Sequence, residues 1–250
     1  MSKRMRAFGV CIAALAGLAA CGGNGAGSGG ATNSSGTGTA YPFIAPIVNS
    51  SRVYSETIID NSNNTINIGY MVAVVSVAAD GTITEQQQST SGIGDTVNGT
   101  DYSALTETQT FNSFGRETAY AYTESNNSVG SCAYSPYEGG PTPPLTVGQR
   151  WQINYTQVCN GNAPISYSQQ GNIADVEAVT VPAGTFTALK LQSTVTWTDA
   201  SGTTHTQTVA NWLDIATFHS VKQSSTFVDS GTPPANGYAV SRQTVLESTS

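Results

Sequence analysis

Apolar and polar residues alternate along most of this chain from Tyr41 onward. The alternation is visible in Ile66 to Tyr70 and in Val176 to Val181, and over parts of Leu189 to Trp197. A period of two residues is typical of half-buried antiparallel strands, whereas the 3.6-residue period of helices is scarce here. The sequence therefore predicts an all-β fold, either a curved antiparallel sheet or an open barrel, with room for one short helical turn near Trp212.

Turn-forming residues divide the alternating runs into hairpins. Asp80-Gly81 separates two such runs, and Asp-Ala-Ser-Gly at 199–202 separates another pair. An Asp-Gly pair between alternating runs is a strong hairpin signal. Pro141, Pro143 and Pro144 cannot donate ladder hydrogen bonds, so we expect a boundary between strands in this region.

A weak internal repeat has a spacing near 98 residues. Three pairs of segments match: Thr108–Phe114 with Thr206–Trp212, Arg52-Val53 with Arg150-Trp151, and Asp80–Thr84 with Ala183–Thr187. A duplication would divide the β domain, residues 41–250, into two similar halves at 41–138 and 145–250. Chance matching in a threonine-rich chain is the alternative.

The first 21 residues have the organisation of an export signal. Lys3, Arg4 and Arg6 precede an apolar run that closes on Leu18-Ala19-Ala20-Cys21. This arrangement resembles the lipobox of bacterial lipoprotein precursors. The resemblance implies a signal peptide at 1–20 and a Cys21 that carries diacylglyceryl and N-acyl chains such as palmitate. An ordinary secretory peptide with a chance cysteine is the alternative.

The residue after the cysteine bears on the destination. In the enteric sorting pattern an aspartate there retains a lipoprotein in the inner membrane, and this chain has Gly22. The resemblance therefore implies delivery to the outer membrane, with the domain facing the periplasm or exposed on the surface. Residues 21–40, with eight glycines from Gly22 onward, are predicted to form a flexible tether. Its root-mean-square reach is about 24 Å.

Charge and composition limit the partners. Three of the nine basic residues lie in the leader, so six basic and sixteen acidic residues remain and the mature net charge is −10. Six scattered basic residues cannot form the Lys/Arg-rich face that phosphate backbones require. The sequence therefore excludes nucleic acid as a partner. The excess of acidic residues is interpreted as favouring solubility.

Cysteine usage agrees with export. Cys11 leaves with the leader and Cys21 takes the lipid, which leaves Cys132 and Cys159 in an oxidising compartment. We expect a disulfide between them, because their spacing is unlike a Cys-x-x-Cys redox motif and partner ligands for a metal are lacking.

The second half contains a further resemblance. The segments Pro144–Trp151, Val179–Phe186 and Trp212–Lys222 together resemble uncharacterised exported bacterial proteins built from curved antiparallel sheets. The resemblance implies a β fold and an envelope setting, and it carries no reaction. Its most specific part is a structural turn, in which Pro182 ends a ladder, Gly184 accepts positive φ and Phe186 enters the core.

Catalytic and metal-binding motifs are weak throughout. No Gly-x-Ser-x-Gly elbow is present, and His205 and His219 have no nucleophile near them in sequence. Two carboxylate pairs, Asp175 with Glu177 and Glu56 with Asp60, are interpreted as solvated charges, and catalysis of glycoside hydrolysis is the less favoured interpretation. Oxygen-rich turns around Asp60, Asp95 and Asp101 are also interpreted as solvated, with adventitious calcium binding as the less favoured hypothesis. Trp151, Trp197 and Trp212 are read as core anchors. We therefore expect no catalytic residue, no metal and no cofactor.

Three functions follow in order of preference. The first is a lipid-anchored, non-enzymatic envelope lipoprotein whose β domain has a structural role or binds an envelope protein or glycan. The second is a carrier that holds an apolar ligand in a half-open barrel, which requires an apolar cavity of several hundred Å³. The third is an envelope hydrolase, which would need a cluster of histidines or paired carboxylates in a cleft.

Overall fold

The computed structural model describes residues 32–34, 38–91, 96–97, 100–101, 106–123, 128–200, 202–230 and 239–250. Within these ranges the secondary structure consists of strands and no helix. The strands are β1 (Thr32–Ser34), β2 (Ser51–Asp60), β3 (Thr65–Val77), β4 (Ile83–Ser91), β5 (Thr96–Val97), β6 (Thr100–Asp101), β7 (Thr106–Phe111), β8 (Glu117–Thr123), β9 (Val129–Ser135), β10 (Arg150–Cys159), β11 (Ile165–Val181), β12 (Gly184–Thr198), β13 (Thr204–Asp214), β14 (Ser220–Asp229) and β15 (Ala239–Thr249). No helix in the described ranges has the length and apolar character needed to cross a membrane.

Twelve of these strands form one closed antiparallel barrel. Strands β2, β3, β4 and β7 to β15 follow one another around it, with β15 pairing back to β2. The β9–β10 pairing completes the circle, although it covers four residue pairs. The remaining strands stand outside it: β1 pairs with β10, and β5 with β6. The predicted all-β, curved antiparallel architecture is confirmed, and the sheet closes on itself.

The alternation in the sequence corresponds to the two faces of the barrel wall. In β2 the side chains of Arg52, Tyr54, Glu56 and Ile58 are buried and their neighbours are more exposed. In β10 the odd-numbered residues from Trp151 onward face inward in the same way. The period of two residues therefore reports which side chains point into the barrel.

The lower end of the barrel, where the turns 78–82 and 215–219 lie, is filled by an apolar core. Eleven buried residues form it: Phe43, Val74, Ile83, Phe111, Leu145, Trp151, Ile173, Leu189, Leu191, Leu213 and Phe218. The segment before β2 and the segment between β9 and β10 both contribute to it, and Tyr41 pairs with Leu145 where they meet. The proline-rich boundary predicted near residues 138–144 is thus a segment that covers this end.

The β11–β12 hairpin extends beyond its neighbours. Its register shifts at Ile173/Asp175, and its turn is Pro182-Ala183, with Val181 paired to Gly184. Gly184 has φ 135°, and Phe186 packs against a second apolar cluster that includes Tyr54 and Leu246. The hairpin tip is therefore held against β2 and β15.

The other predicted turns lie where the sequence placed them. Gly81 and Gly202 have positive φ between β3 and β4 and between β12 and β13. The helical turn expected near Trp212 was wrong, because residues 212–214 complete β13. Backbone pairing with β12 holds these residues in the strand, and the local sequence does not reveal this pairing.

The barrel consists of two consecutive sets of six strands, β2–β9 without β5 and β6, and β10–β15. The three matching segment pairs fall on equivalent members of these sets: β2 with β10, the β3–β4 turn with the β11–β12 turn, and β7 with β13. The sets join each other at both edges, through β15–β2 and β9–β10.

A disulfide joins Cys132 to Cys159 with an S–S distance of 2.05 Å. The two cysteines are directly opposite each other in the β9–β10 ladder. The predicted pairing is confirmed, and it lies at the shortest pairing of the barrel wall.

Replacing both cysteines by alanine is expected to lower the free energy of unfolding by about 3–4 kcal/mol, because the cross-link closes a loop of 27 residues in sequence separation. Urea unfolding followed by tryptophan fluorescence measures this, with the dithiothreitol-reduced native chain as the matched control. A difference below about 1 kcal/mol would contradict a closing role for the bond.

Candidate functional site

The two histidines lie in separate environments. His205 Nδ1 is 2.7 Å from Asp229 Oδ1, His205 Nε2 is 3.3 Å from Asp199 Oδ2, and the ring stacks on Trp197 at 5.0 Å. Both ring nitrogens therefore face carboxylates. His219 is half-buried with an inaccessible Nε2, and desolvation lowers its pKa to about 3, with the Arg52 charge acting in the same direction. Neither arrangement contains a nucleophile among the contacts that the structure describes.

The carboxylate pairs suggested by sequence are not used as pairs. The Glu177 carboxylate accepts a hydrogen bond from Trp212 Nε1 and lies 3.5 Å from Lys190 Nζ, while Asp175 is exposed at the register shift. Glu56 points into the barrel, 3.5 Å from Arg242 Nη1. Asp60 instead accepts backbone hydrogen bonds within its own turn.

The described residues do not support the hypothesis of a calcium site. Asp60 is occupied by the amides of Ser62 and Asn64. Asp95 and the side chain of Asp101 lie outside the described residues, as do Cys21 and the leader. In the described part of the chain no three His, Cys, Asp or Glu side chains are grouped closely enough to ligate a metal ion.

The three tryptophans are buried, each with 8% or less of its surface exposed. Trp151 belongs to the lower apolar core, and Trp197 belongs to a row of rings described next. Trp212 lies between Lys190 and Lys222, whose ammonium nitrogens are 5.1 and 5.0 Å from its ring centre.

A row of seven rings lines the inner wall across six consecutive strands, β8 to β13. Its neighbouring ring centres are 5.0 to 6.1 Å apart, and its members are Tyr120, Tyr122, Tyr134, Tyr155, Tyr167, Trp197 and His205. Gln157 fixes two of them, since it donates to Tyr134 Oη at 3.0 Å and accepts from Tyr167 Oη at 2.9 Å. Because the rings contact one another, this row is a structural element of the wall. Sequence reasoning missed it, although the Tyr-x-Tyr spacing at 120 and 122 was a visible signal.

The inner wall that adjoins this row at β8 carries buried carboxyls, which sequence reasoning also missed. On β4 and β7, Glu85 faces Gln109 and Gln87 faces Glu107. Arg52 Nη2 donates to Glu85 Oε1 at 2.6 Å. Glu117 on β8 shares a hydrogen bond with Glu138. The cluster therefore combines one buried carboxyl from each of β4, β7 and β8 with the guanidinium group of Arg52.

Burial governs the protonation of this carboxyl cluster. It raises the pKa of Glu107 to about 7, against the lowering effect of a hydrogen bond from Gln109. It also raises the pKa of Glu117 well above the ordinary value, and the charges of Glu138 and Glu107 add to this. A carboxyl pair that shares a proton is common chemistry for like charges in contact.

The outer face of β10–β13 is a polar wall made of three rows of four residues paired across the strands. The rows are Asn154, Ser168, Thr196 and Thr206; Gln152, Gln170, Thr194 and Thr208; and Arg150, Asn172, Gln192 and Ala210. These twelve positions alternate with inward-facing residues such as Trp151 and Ile153. Amides and hydroxyls dominate them, no carboxylate occurs in the three rows, and Arg150 is the one charged member.

A recess of about 810 Å³ lies against this wall. Gln152, Gln170, Asn172, Gln192, Thr194 and Thr208 are among its lining residues. The described lining residues all belong to β10–β13, and the exposed, outward-facing Gln152, Gln170, Gln192 and Thr208 place the recess on the outer side of the wall. Most of its lining side chains carry amides, hydroxyls or a guanidinium group, beside Trp151, Val209 and Ala210, whereas a lipid carrier requires a predominantly apolar pocket.

The sequence matches no protein family and no curated protein. Solved structures that resemble the chain include three bacterial proteins. A Bacteroides fragilis protein described as exported and as having a YmcC-like fold shares 12% identity at a TM-score of 0.47, covering 85% of this chain and 100% of its own. The hypothetical lipoprotein YmcC of Escherichia coli K12 shares 13% identity at a TM-score of 0.40, covering 80% of this chain and 87% of its own. A Parabacteroides distasonis protein described as a lipoprotein shares 14% identity at a TM-score of 0.40, covering 82% of this chain and 97% of its own.

The raised pKa of Glu107 predicts a pH-dependent stability. The pKa of Glu107 in the folded protein, about 7, lies above the ordinary value of 4.5. The stabilising contribution of this carboxyl is therefore fully present below pH 4.5. Stability then falls by about 3 kcal/mol as the pH rises through 7. In Glu107→Gln the difference in unfolding free energy between pH 5 and pH 8 should shrink by about 2–3 kcal/mol. The exposed Asp175→Asn is the control, and equal slopes for the native chain and Glu107→Gln would refute the prediction.

Proposed function

We propose that this protein is a lipid-anchored, non-enzymatic lipoprotein of the bacterial outer membrane that binds an envelope glycan on the polar wall. The observation that carries the proposal is the wall itself, with its recess and its three rows of amide and hydroxyl side chains. Leader and tether supply the anchoring part of the proposal.

The spacing of the wall suits a repeating polymer. Neighbouring strands lie about 4.8 Å apart and same-face residues about 6.6 Å apart along a strand. The polar wall therefore presents donors and acceptors on a regular lattice. Gln152, Gln170, Gln192 and Thr208 are exposed, and each amide or hydroxyl can both donate to and accept from a sugar hydroxyl.

The chain path places the wall near the proposed anchor. Thr32 pairs with Gln152 and Ser34 with Arg150, so the segment predicted as a tether joins the barrel beside the polar wall. Thr32 follows Cys21 by eleven residues, a separation that spans at most about 39 Å. A lipid on Cys21 would therefore keep the β10 edge of the wall within this distance of the membrane surface.

The interior of the barrel supports binding over the two alternatives. Beyond the apolar core at the lower end, its described inner face carries buried polar side chains, including Glu56, Gln207 and Gln223. Among the described residues Glu117 shares a hydrogen bond with Glu138, and Glu117 is only 6% exposed. The site open to a large ligand is therefore on the outside.

Changing Cys21 to serine is expected to move the protein from the membrane fraction to the aqueous fraction, because the acyl chains supply the membrane affinity. Cys11→Ser, in the leader, is the matched control and should leave fractionation unchanged. Fractionation with radiolabelled palmitate checks both. Continued membrane association and labelling of Cys21→Ser would rule out the anchor.

The double variant Gln170→Ala/Gln192→Ala is expected to weaken glycan binding about tenfold or more, since two amide hydrogen bonds of about 1 kcal/mol each are lost. Titration of the detergent-purified mature protein against a panel of neutral and acidic polysaccharides measures this. Gln86→Ala/Gln88→Ala changes two exposed glutamines on the outer face of β4 and serves as the control. Failure of every polysaccharide to bind, or equal loss in both double variants, would contradict the proposed function.

A further inference from the structure

Resting on the proposed function, we infer that the glycan is acidic and that Arg150 receives its carboxylate or phosphate group. Arg150 is exposed and lies in the polar wall, at the head of the row that continues with Asn172 and Gln192. Its role is to determine specificity, within a wall that otherwise binds through neutral groups.

The distribution of positive charge singles out this residue. Six basic residues follow Cys21, and three of them are buried: Arg52, Arg116 and Arg242. Arg52 and Arg242 face Glu85 and Glu56, and Arg116 donates to the carbonyls of Gly140 and Pro141. These three guanidinium groups therefore bind acceptors within the protein.

The two lysines are engaged on the surface. Lys190 Nζ lies 3.5 Å from Glu177 Oε1, and both lysines lie over the Trp212 ring. Arg150 has no ion pair with any residue that the structure describes. It is thus the cation available to an external anion on this wall.

The surroundings of Arg150 favour an anion. A guanidinium group binds carboxylate or phosphate through two parallel hydrogen bonds. Asn172 and Gln192 stand about one and two strand spacings away and can donate amide hydrogens to the same sugar. The nearest carboxylates along β11, Asp175 and Glu177, lie beyond the register shift, beside Lys190.

The net charge restricts such a polymer to this face. With a mature net charge of −10, most of the surface repels an acidic chain. The three rows of the polar wall contain no carboxylate. An acidic glycan is therefore accepted where Arg150 stands and is disfavoured elsewhere.

The test compares polygalacturonate with dextran of matched length, titrated into the detergent-purified mature protein at low and high salt. We expect tighter binding of polygalacturonate at low salt. Arg150→Gln should weaken polygalacturonate binding about tenfold, by loss of a charge-assisted bond, and change dextran binding less than about twofold. Arg150→Lys, which keeps the charge and loses the fork, should recover part of the affinity.

Lys222→Gln, on the same side of the barrel, is the matched control and should leave both affinities within about twofold of the native protein. If dextran binds as well as polygalacturonate and Arg150→Gln has no effect, this inference fails while the proposed function stands. If Lys222→Gln and Arg150→Gln weaken polygalacturonate binding equally, nonspecific electrostatic attraction explains the binding and the specific role of Arg150 is refuted. If neither polymer nor any other polysaccharide binds, the proposed function fails as well.

Discussion

The fold depends on closing the sheet, because every strand edge left unpaired would expose a row of backbone donors and acceptors. Eleven of the barrel's twelve interfaces join strands by at least five residue pairs, and the twelfth, β9–β10, has four pairs and the disulfide. The segment between β9 and β10 is long because it also covers the lower end. Closure thus rests on a short ladder reinforced by a covalent bond.

Twelve strands enclose more volume than the apolar side chains of this sequence fill. The apolar core occupies the lower end, and the remaining inner face is lined by rings, amides and carboxyls. Burial of carboxyls costs free energy unless they are paired or protonated. Arg52 pairs with Glu85, while Glu107 and Glu117 respond with raised pKa values. The polar interior is the consequence of a large barrel built from a chain with few large apolar residues.

The sequence contained enough to predict the strands and turns. It did not indicate which side chains of a largely polar strand point into the barrel. Ile66 to Tyr70 alternates apolar with polar, so its inner face is evident. In Ile83 to Gln88 both faces are polar after the first residue, and the sequence does not indicate that Glu85 and Gln87 point inward. Their register against Gln109 and Glu107 depends on pairing across a chain separation that local pattern cannot encode. The carboxyl cluster was therefore beyond sequence reasoning.

The same limit explains why the sequence did not reveal the polar wall. Gln152, Gln170 and Thr194 are far apart in sequence and become neighbours through two ladders, β10–β11 and β11–β12. Their alternation with buried Trp151 and Leu191 assigns each of them to the outside, but only the pairing shows that they form continuous rows. Basic residues are divided by the same geometry, since an arginine at an inward position needs buried acceptors, such as the Glu85 carboxylate that binds Arg52, whereas one at an outward position can bind a ligand. Arg52 and Arg150, matched in the internal repeat and both at the start of their strands, fall on opposite sides of this division. If the repeat reflects a duplication, one copy of this arginine serves the fold and the other is available for binding.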